Sequence, residues 1–196
     1  MKKGFTLIEL LVVIAIIAIL AIVVVLTLNP GELLKQSRDS NRLSDLSTLK
    51  SALSYYLQDN TTPNLASSTF GYAGCYLSTV TGTGTSTAKC GVFVGGGITT
   101  NVSTTNALYR KVDSTGWLPV NFSSLSYGSA LGSLPVDPTN NSSFYYTYAA
   151  SSTNNLFELD AFMESGKFGK GGSNDTVQKD GGDNVNAYET GSSLFL

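Results

Sequence analysis

One carboxylate, Glu9, interrupts an otherwise apolar run near the start of this chain, GFTLIELLVVIAIIAILAIVVVLTLN. A charged side chain at the centre of a membrane helix costs about 2.5–3.5 kcal/mol on insertion scales, so something should repay the cost of Glu9. The 196 residues include no histidine. That excludes Ser-His-Asp and Cys-His nucleophilic catalysis and histidine-ligated zinc, and no enzyme is expected. The two cysteines, Cys75 and Cys90, are too few for a four-ligand zinc site. In an exported domain they predict a disulfide, and closing a loop of about 15 residues would stabilise by roughly 3 kcal/mol. Free thiols are the alternative where no oxidising machinery operates. Asp175, Asp180 and Asp183 lie among glycines in GKGGSNDTVQKDGGDN, where oxygen donors on a flexible loop suit calcium. Their spacing departs from the D-x-[DN]-x-[DN]-G pattern, and a solvated acidic tail is the plainer reading. No metal and no other cofactor is therefore expected.

The elements around these residues follow from periodicity and helix breakers. Residues 5–28 form an apolar run that, as a helix, would be about 36 Å long, enough to cross a bilayer. Lys2 and Lys3 precede it and bias the N-terminus towards the cytoplasm. A cleaved Sec signal would want a shorter core and a small-residue site, which Asn29-Pro30-Gly31 does not offer. Pro30 and Gly31 predict a helix break over 29–31. An amphipathic helix follows over 32–60, with Leu43, Leu46, Leu49, Leu53, Tyr56 and Leu57 on one stripe. Arg38, Arg42, Asp45 and Lys50 are expected mostly off that stripe, on a solvated face; pairing between subunits is the alternative. Residues 61–134 read as a loop-rich αβ region with one short hairpin, stapled by the cysteine pair. Residues 135–165 read as an antiparallel hairpin: Phe144, Tyr146 and Tyr148 alternate with Tyr145 and Thr147, and a second alternating run, LFELDAFME, follows. Residues 166–196 form a Gly/Asp-rich C-terminal region. Only 13% of residues are charged and the net charge is −2, so no nucleic-acid partner is expected.

The stretch KKGFTLIELLVVIAIIAIL resembles the class III signal of type IV pilins and of the pseudopilins of type II secretion. The resemblance lies in a short basic leader ending in Gly4, then Phe5, then Glu9 at the fifth position, then a long apolar helix. It implies an α+β fold, with a long N-terminal helix packed on a small antiparallel β-sheet head. It also implies that a prepilin peptidase removes residues 1–4 by cutting between Gly4 and Phe5, and N-methylates Phe5. Glu9 would then pair with the new N-terminal amine of a neighbouring subunit and set the stagger, remaining unsatisfied in an isolated subunit. The implied partners are identical or related pilin subunits, the peptidase, and an inner-membrane assembly platform with an external ATPase. The chain would cross the cytoplasmic membrane once before assembly and then join an extracellular or periplasmic filament. The expected function is that of a structural filament subunit. The alternative is a minor pilin or adhesin whose head binds a surface, DNA or carbohydrate.

Overall fold

A computed structural model describes residues 4–65, 74–79, 99–101, 108–151 and 154–196. Helix α1 (Leu7–Leu28) starts where the sequence supplies a reciprocal cap. Thr6 is extended, its hydroxyl accepts from the Glu9 backbone N–H, and the Glu9 carboxylate accepts from the Thr6 backbone N–H. Asn29 ends this helix in the left-handed region at φ 42°, which asparagine tolerates better than most residues. Asn29 also caps α2 (Pro30–Asp59), its side chain accepting from the Glu32 N–H at 3.4 Å. Pro30 takes the first helical position, where its missing N–H leaves no bond unmade. The break expected over 29–31 therefore narrows to Asn29, and the second helix begins two residues earlier than expected. Its far end is closed by the Asn60 N–H bonding to the Tyr56 carbonyl at 3.2 Å.

Among the described residues, five strands make one sheet: β1 (Gly74–Leu77), β2 (Thr99–Asn101), β3 (Tyr146–Ser151), β4 (Leu156–Ala161) and β5 (Tyr188–Gly191). Their order is β2-β1-β3-β4-β5. The pairs β1–β3, β3–β4 and β4–β5 are antiparallel, and they give the α+β pilin-like head its character. The β1–β2 pair is parallel and adds a fifth strand to the expected antiparallel sheet; most of the stretch where a short hairpin was expected lies outside the described residues. Parallel neighbours need a crossover rather than a tight turn. Strand β5 lies within the Gly/Asp-rich C-terminal region, where no strand was expected. Its four residues are too few to show a period.

The apolar stripe of α2 supplies Leu46, Leu49, Ala52, Leu53 and Tyr56 to the core. One face of the sheet meets it with Tyr76, Tyr146, Tyr148, Phe157 and Leu159, and the loops add Trp117, Leu118, Phe122 and Leu134. The buried tyrosines anchor their polar ends: the Tyr148 hydroxyl donates to the Leu65 carbonyl and that of Tyr146 to Asp45, both at 2.8 Å.

Arg42 departs most from expectation. It is fully buried and not on a solvated face. Positions 42, 46, 49 and 53 lie on one helical face, so Arg42 continues the leucine stripe towards the N-terminus of α2. Its partners, Asp137 and Glu164, come from 95 and 122 residues away. Arg38 is half-buried, Asp45 is bonded to Tyr146, and Lys50 is exposed.

Candidate functional site

Two features position this chain for work outside itself: the bare apolar helix α1, and the clasp that fixes α2 to the head. Every α1 side chain that is described is exposed. The segment Leu7–Val25 has the length and composition to cross a membrane, and none of it is buried within the chain. A helix apolar on all sides is stable only in lipid or inside a bundle of similar helices.

At its start, Phe5 is 89% exposed and the Gly4–Phe5 peptide is open. A Cβ on Gly4 would meet nothing within 4 Å, and its backbone is not left-handed. The described fold of the chain therefore does not require glycine there. Glu9 is not without a partner, as the resemblance implied for an isolated subunit. Its Oε2 accepts from the Thr6 N–H at 2.8 Å and the Thr6 hydroxyl at 2.6 Å. The signal for this was present in the sequence as T-x-x-E, the pattern of a capping box. The capped carboxylate stays at the exposed end of α1, where a cation could reach it.

The clasp is an ionic cluster between α2 and two loops of the head. Arg42 holds Asp137 in a two-pronged contact, Nε to Oδ2 at 2.6 Å and a terminal nitrogen to Oδ1 at 2.9 Å. It also reaches Asp39 at 2.6 Å and Glu164, and lies 5.0 Å from the Phe144 ring centroid. Asp39 in turn accepts from the backbone N–H groups of Glu164 and Ser165. Burial opposes the Arg42 charge, but Asp137, Glu164 and Asp39 more than offset it and keep the guanidinium protonated. Arg38 completes the cluster, 2.5 Å from Glu164. Hydrogen bonds from Arg38, and then from Arg42 and Thr139, hold the Glu164 carboxyl at about 2, against an ordinary 4.5. A carboxyl depressed in the folded state contributes stability above its unfolded pKa and loses it as pH falls through the folded value. The Glu164 contribution is therefore whole above about pH 4.5 and disappears towards pH 2. Thermal melts followed through buried Trp117 should show this decline, and Glu164→Gln should flatten it while lowering the melting temperature at pH 7.

Cys75 is buried on β1, on the sheet face turned away from α2, beside Leu77, Tyr145 and Ala149. Cys90 lies outside the described residues. Asp175 and Asp180 are occupied in folding their own loop. Asp175 accepts from the N–H groups of Gly171, Val177 and Gln178, and Asp180 accepts from those of Gly182 and Glu189. Asp183 is exposed.

Residues 1–25 match the family model of the prokaryotic N-terminal methylation motif. The chain carries a class III prepilin signal. Such signals are typical of type IV pilins and pseudopilins, a structural kind of protein, and imply processing by a prepilin peptidase and assembly with pilin subunits. The prepilin signal and the bare helix behind it fit membrane anchoring before assembly into an extracellular filament. The match ends at residue 25, so the head lies outside it. Comparison with curated proteins and with solved structures found no match.

Proposed function

We propose that this chain is a structural subunit of a type IV pilus-like or pseudopilus filament, cut between Gly4 and Phe5, N-methylated at Phe5, and polymerised through α1. The observation that carries this reading is the pairing of a prepilin signal with a membrane-length helix that is unburied among the described residues. Assembly moves that helix from lipid to a bundle of its copies. Both environments are apolar, so hydrophobic transfer supplies little direction, and polar contacts must set the register. Glu9 pairs there with the Phe5 amine of a neighbouring subunit, a cation that exists only after the cut. Before assembly the chain crosses the cytoplasmic membrane once, with its N-terminus on the cytoplasmic side. An inner-membrane platform and an external ATPase supply the work of extraction. On the exported side, a Cys75–Cys90 disulfide ties the loop after β1 to the sheet.

The test is to shear filaments from the source cells and measure the intact mass and N-terminus of this chain. The expected species lacks residues 1–4, carries one methyl group on Phe5, and is abundant in the filament fraction. A trace amount at a filament tip would instead indicate a minor pilin or adhesin. An uncut chain confined to membranes would make α1 a plain anchor and remove Glu9's proposed amine partner.

A further inference from the structure

Strand β5 is an edge of the sheet, paired with β4 alone among the described strands. Its register sets Glu189 directly opposite Asp160, and Glu158 lies two residues along β4 on the same face. Like charges directly across a strand pair destabilise a sheet. Glu158, Asp160 and Glu189 are nevertheless buried, at 0%, 1% and 2% exposure. Among the described residues, no lysine or arginine forms an ion pair with any of them.

One oxygen of each is held by a donor: Asp160 Oδ2 by the Thr147 hydroxyl at 2.8 Å, Glu158 Oε2 by the Leu196 N–H at 2.9 Å, and Glu189 Oε2 by the Asn184 N–H at 2.9 Å. The second oxygens, Glu158 Oε1, Asp160 Oδ1 and Glu189 Oε1, are buried and receive no bond from a backbone, hydroxyl or amide donor. The three groups approach one another within 4.8 Å, and the Glu158 and Glu189 side chains hydrogen-bond each other. An ionised carboxylate only accepts, so two carboxyl groups can bond only where one of them keeps its proton. Among the described neighbours, none supplies a positive charge in its place. Strand β3 contributes the uncharged Thr147 hydroxyl, and the covering loop adds the acidic Asp180 and Asp183. That loop packs directly onto the pair, since a Cβ on Gly182 would come within 1.9 Å of Glu189 Oε2.

We infer that one proton shared by Glu158 and Glu189 latches β5 to β4, and that its loss at alkaline pH opens the latch. With the proton in place, the pair carries a single negative charge and its own hydrogen bond. Without it, two carboxylates face each other beside Asp160, and only the entry of water relieves the repulsion. Strand β4 is held on both sides, by β3 and by β5, so the edge strand β5 is the one that yields. The same two carboxyls hold the backbone on either side of β5, at Asn184 and Leu196, so the release extends to both. Burial raises all three carboxyls, and the bond to Glu158 adds to it at Glu189, which reaches about 8 against an ordinary 4.5. A carboxyl raised in the folded state contributes stability that is whole below its unfolded pKa and is lost as pH rises through the folded value. The latch therefore weakens from about pH 4.5 upwards and is open above about pH 8, the opposite sense to the Glu164 contribution. It belongs to the head alone and stands whether or not the chain polymerises.

The test uses the full chain in detergent with a chelator present, melted between pH 6 and pH 9, a range in which Glu164 stays ionised. The wild-type melting temperature should fall by roughly 5–10 °C across that range. Infrared spectra at pH 7 should show absorption from protonated carboxyl groups, reduced in Glu189→Gln and in Glu158→Gln. Glutamine keeps the shape and offers a permanent N–H to the facing carboxylate, so both variants should fold. Each should melt above wild type at pH 9 and lose about half or more of the decline. Two results would overturn the latch. One is a wild-type spectrum with no protonated carboxyl absorption at pH 7, a measurement that needs no variant. The other is a pair of variants that melt below wild type at every pH and keep its full decline from pH 6 to pH 9.

Discussion

Arg42→Ala should lower the stability of the folded head by about 3–5 kcal/mol, the usual cost of removing one partner from a buried ionic cluster. The loss exceeds that of a salt bridge at the surface because of what remains. Asp39, Asp137 and Glu164 would face one another around an empty guanidinium position, with Asp39 and Asp137 fully buried. Arg38 would retain Glu164 but has no bond to Asp137. Against a typical total of about 5–15 kcal/mol, such a loss takes much of the margin. The melting temperature should fall by roughly 6–20 °C. Arg42→Lys should lie between wild type and Arg42→Ala, because one ammonium cannot reproduce a flat fork that meets Asp137 with two nitrogens while serving Asp39 and Glu164. The measurement is thermal melting of the full chain in detergent, followed by near-UV circular dichroism. A fall under about 2 °C for Arg42→Ala would mean that the leucine stripe alone holds α2 to the sheet.

Glu9→Ala should leave membrane insertion and leader cleavage intact while abolishing most filament yield. Without the carboxylate, each incoming subunit would bury an unpaired α-amine among apolar helices. Taking the insertion cost of about 2.5–3.5 kcal/mol per charge, the docking equilibrium weakens by roughly 100-fold. Alanine also removes the reciprocal cap with Thr6, worth about 1 kcal/mol, so a second variant is needed to separate the two effects. Glu9→Gln supplies it, since glutamine serves in the same capping box without the charge. Both variants should fail to assemble if charge pairing sets the stagger. Filament yield from Glu9→Gln equal to wild type would assign Glu9 to capping alone. The quantities to measure are sheared-filament yield and the cleaved fraction in membranes, from the same cells.

How much of this was legible in the sequence depended on how local each feature is. The prepilin signal lies in consecutive residues, and the apolar run behind it needs only counting. The α2 stripe was readable from Leu46, Leu49, Leu53 and Tyr56, all of them buried. The same period runs on to Arg42, which was expected off the stripe on a solvated face and is buried instead. A lone arginine on an apolar face nonetheless reads as an exception until Asp137 and Glu164 are known to reach it. The alternation in β3 and β4 was visible, but alternation in antiparallel strands usually means one wet face. Here both faces are covered, so Glu158 and Asp160 are buried on the side where alternation would have put them in water. The parallel pairing of β2 and the existence of β5 left no mark in local pattern.

By itself the sequence determined the N-terminal half of this protein's physics. It specifies basic residues ahead of the Gly4–Phe5 junction, a membrane-length apolar run with one carboxylate, and an amphipathic helix behind the Asn29-Pro30-Gly31 break. All of these depend on neighbours within a few turns of chain, where composition and period are sufficient. Only the tertiary structure decided which charges are buried and with what. It gathered Arg42 and Arg38 with three carboxylates into a clasp, and it gathered Glu158, Asp160 and Glu189 into a buried cluster. The energy of a buried charge depends on partners brought from distant segments, and no local pattern encodes them.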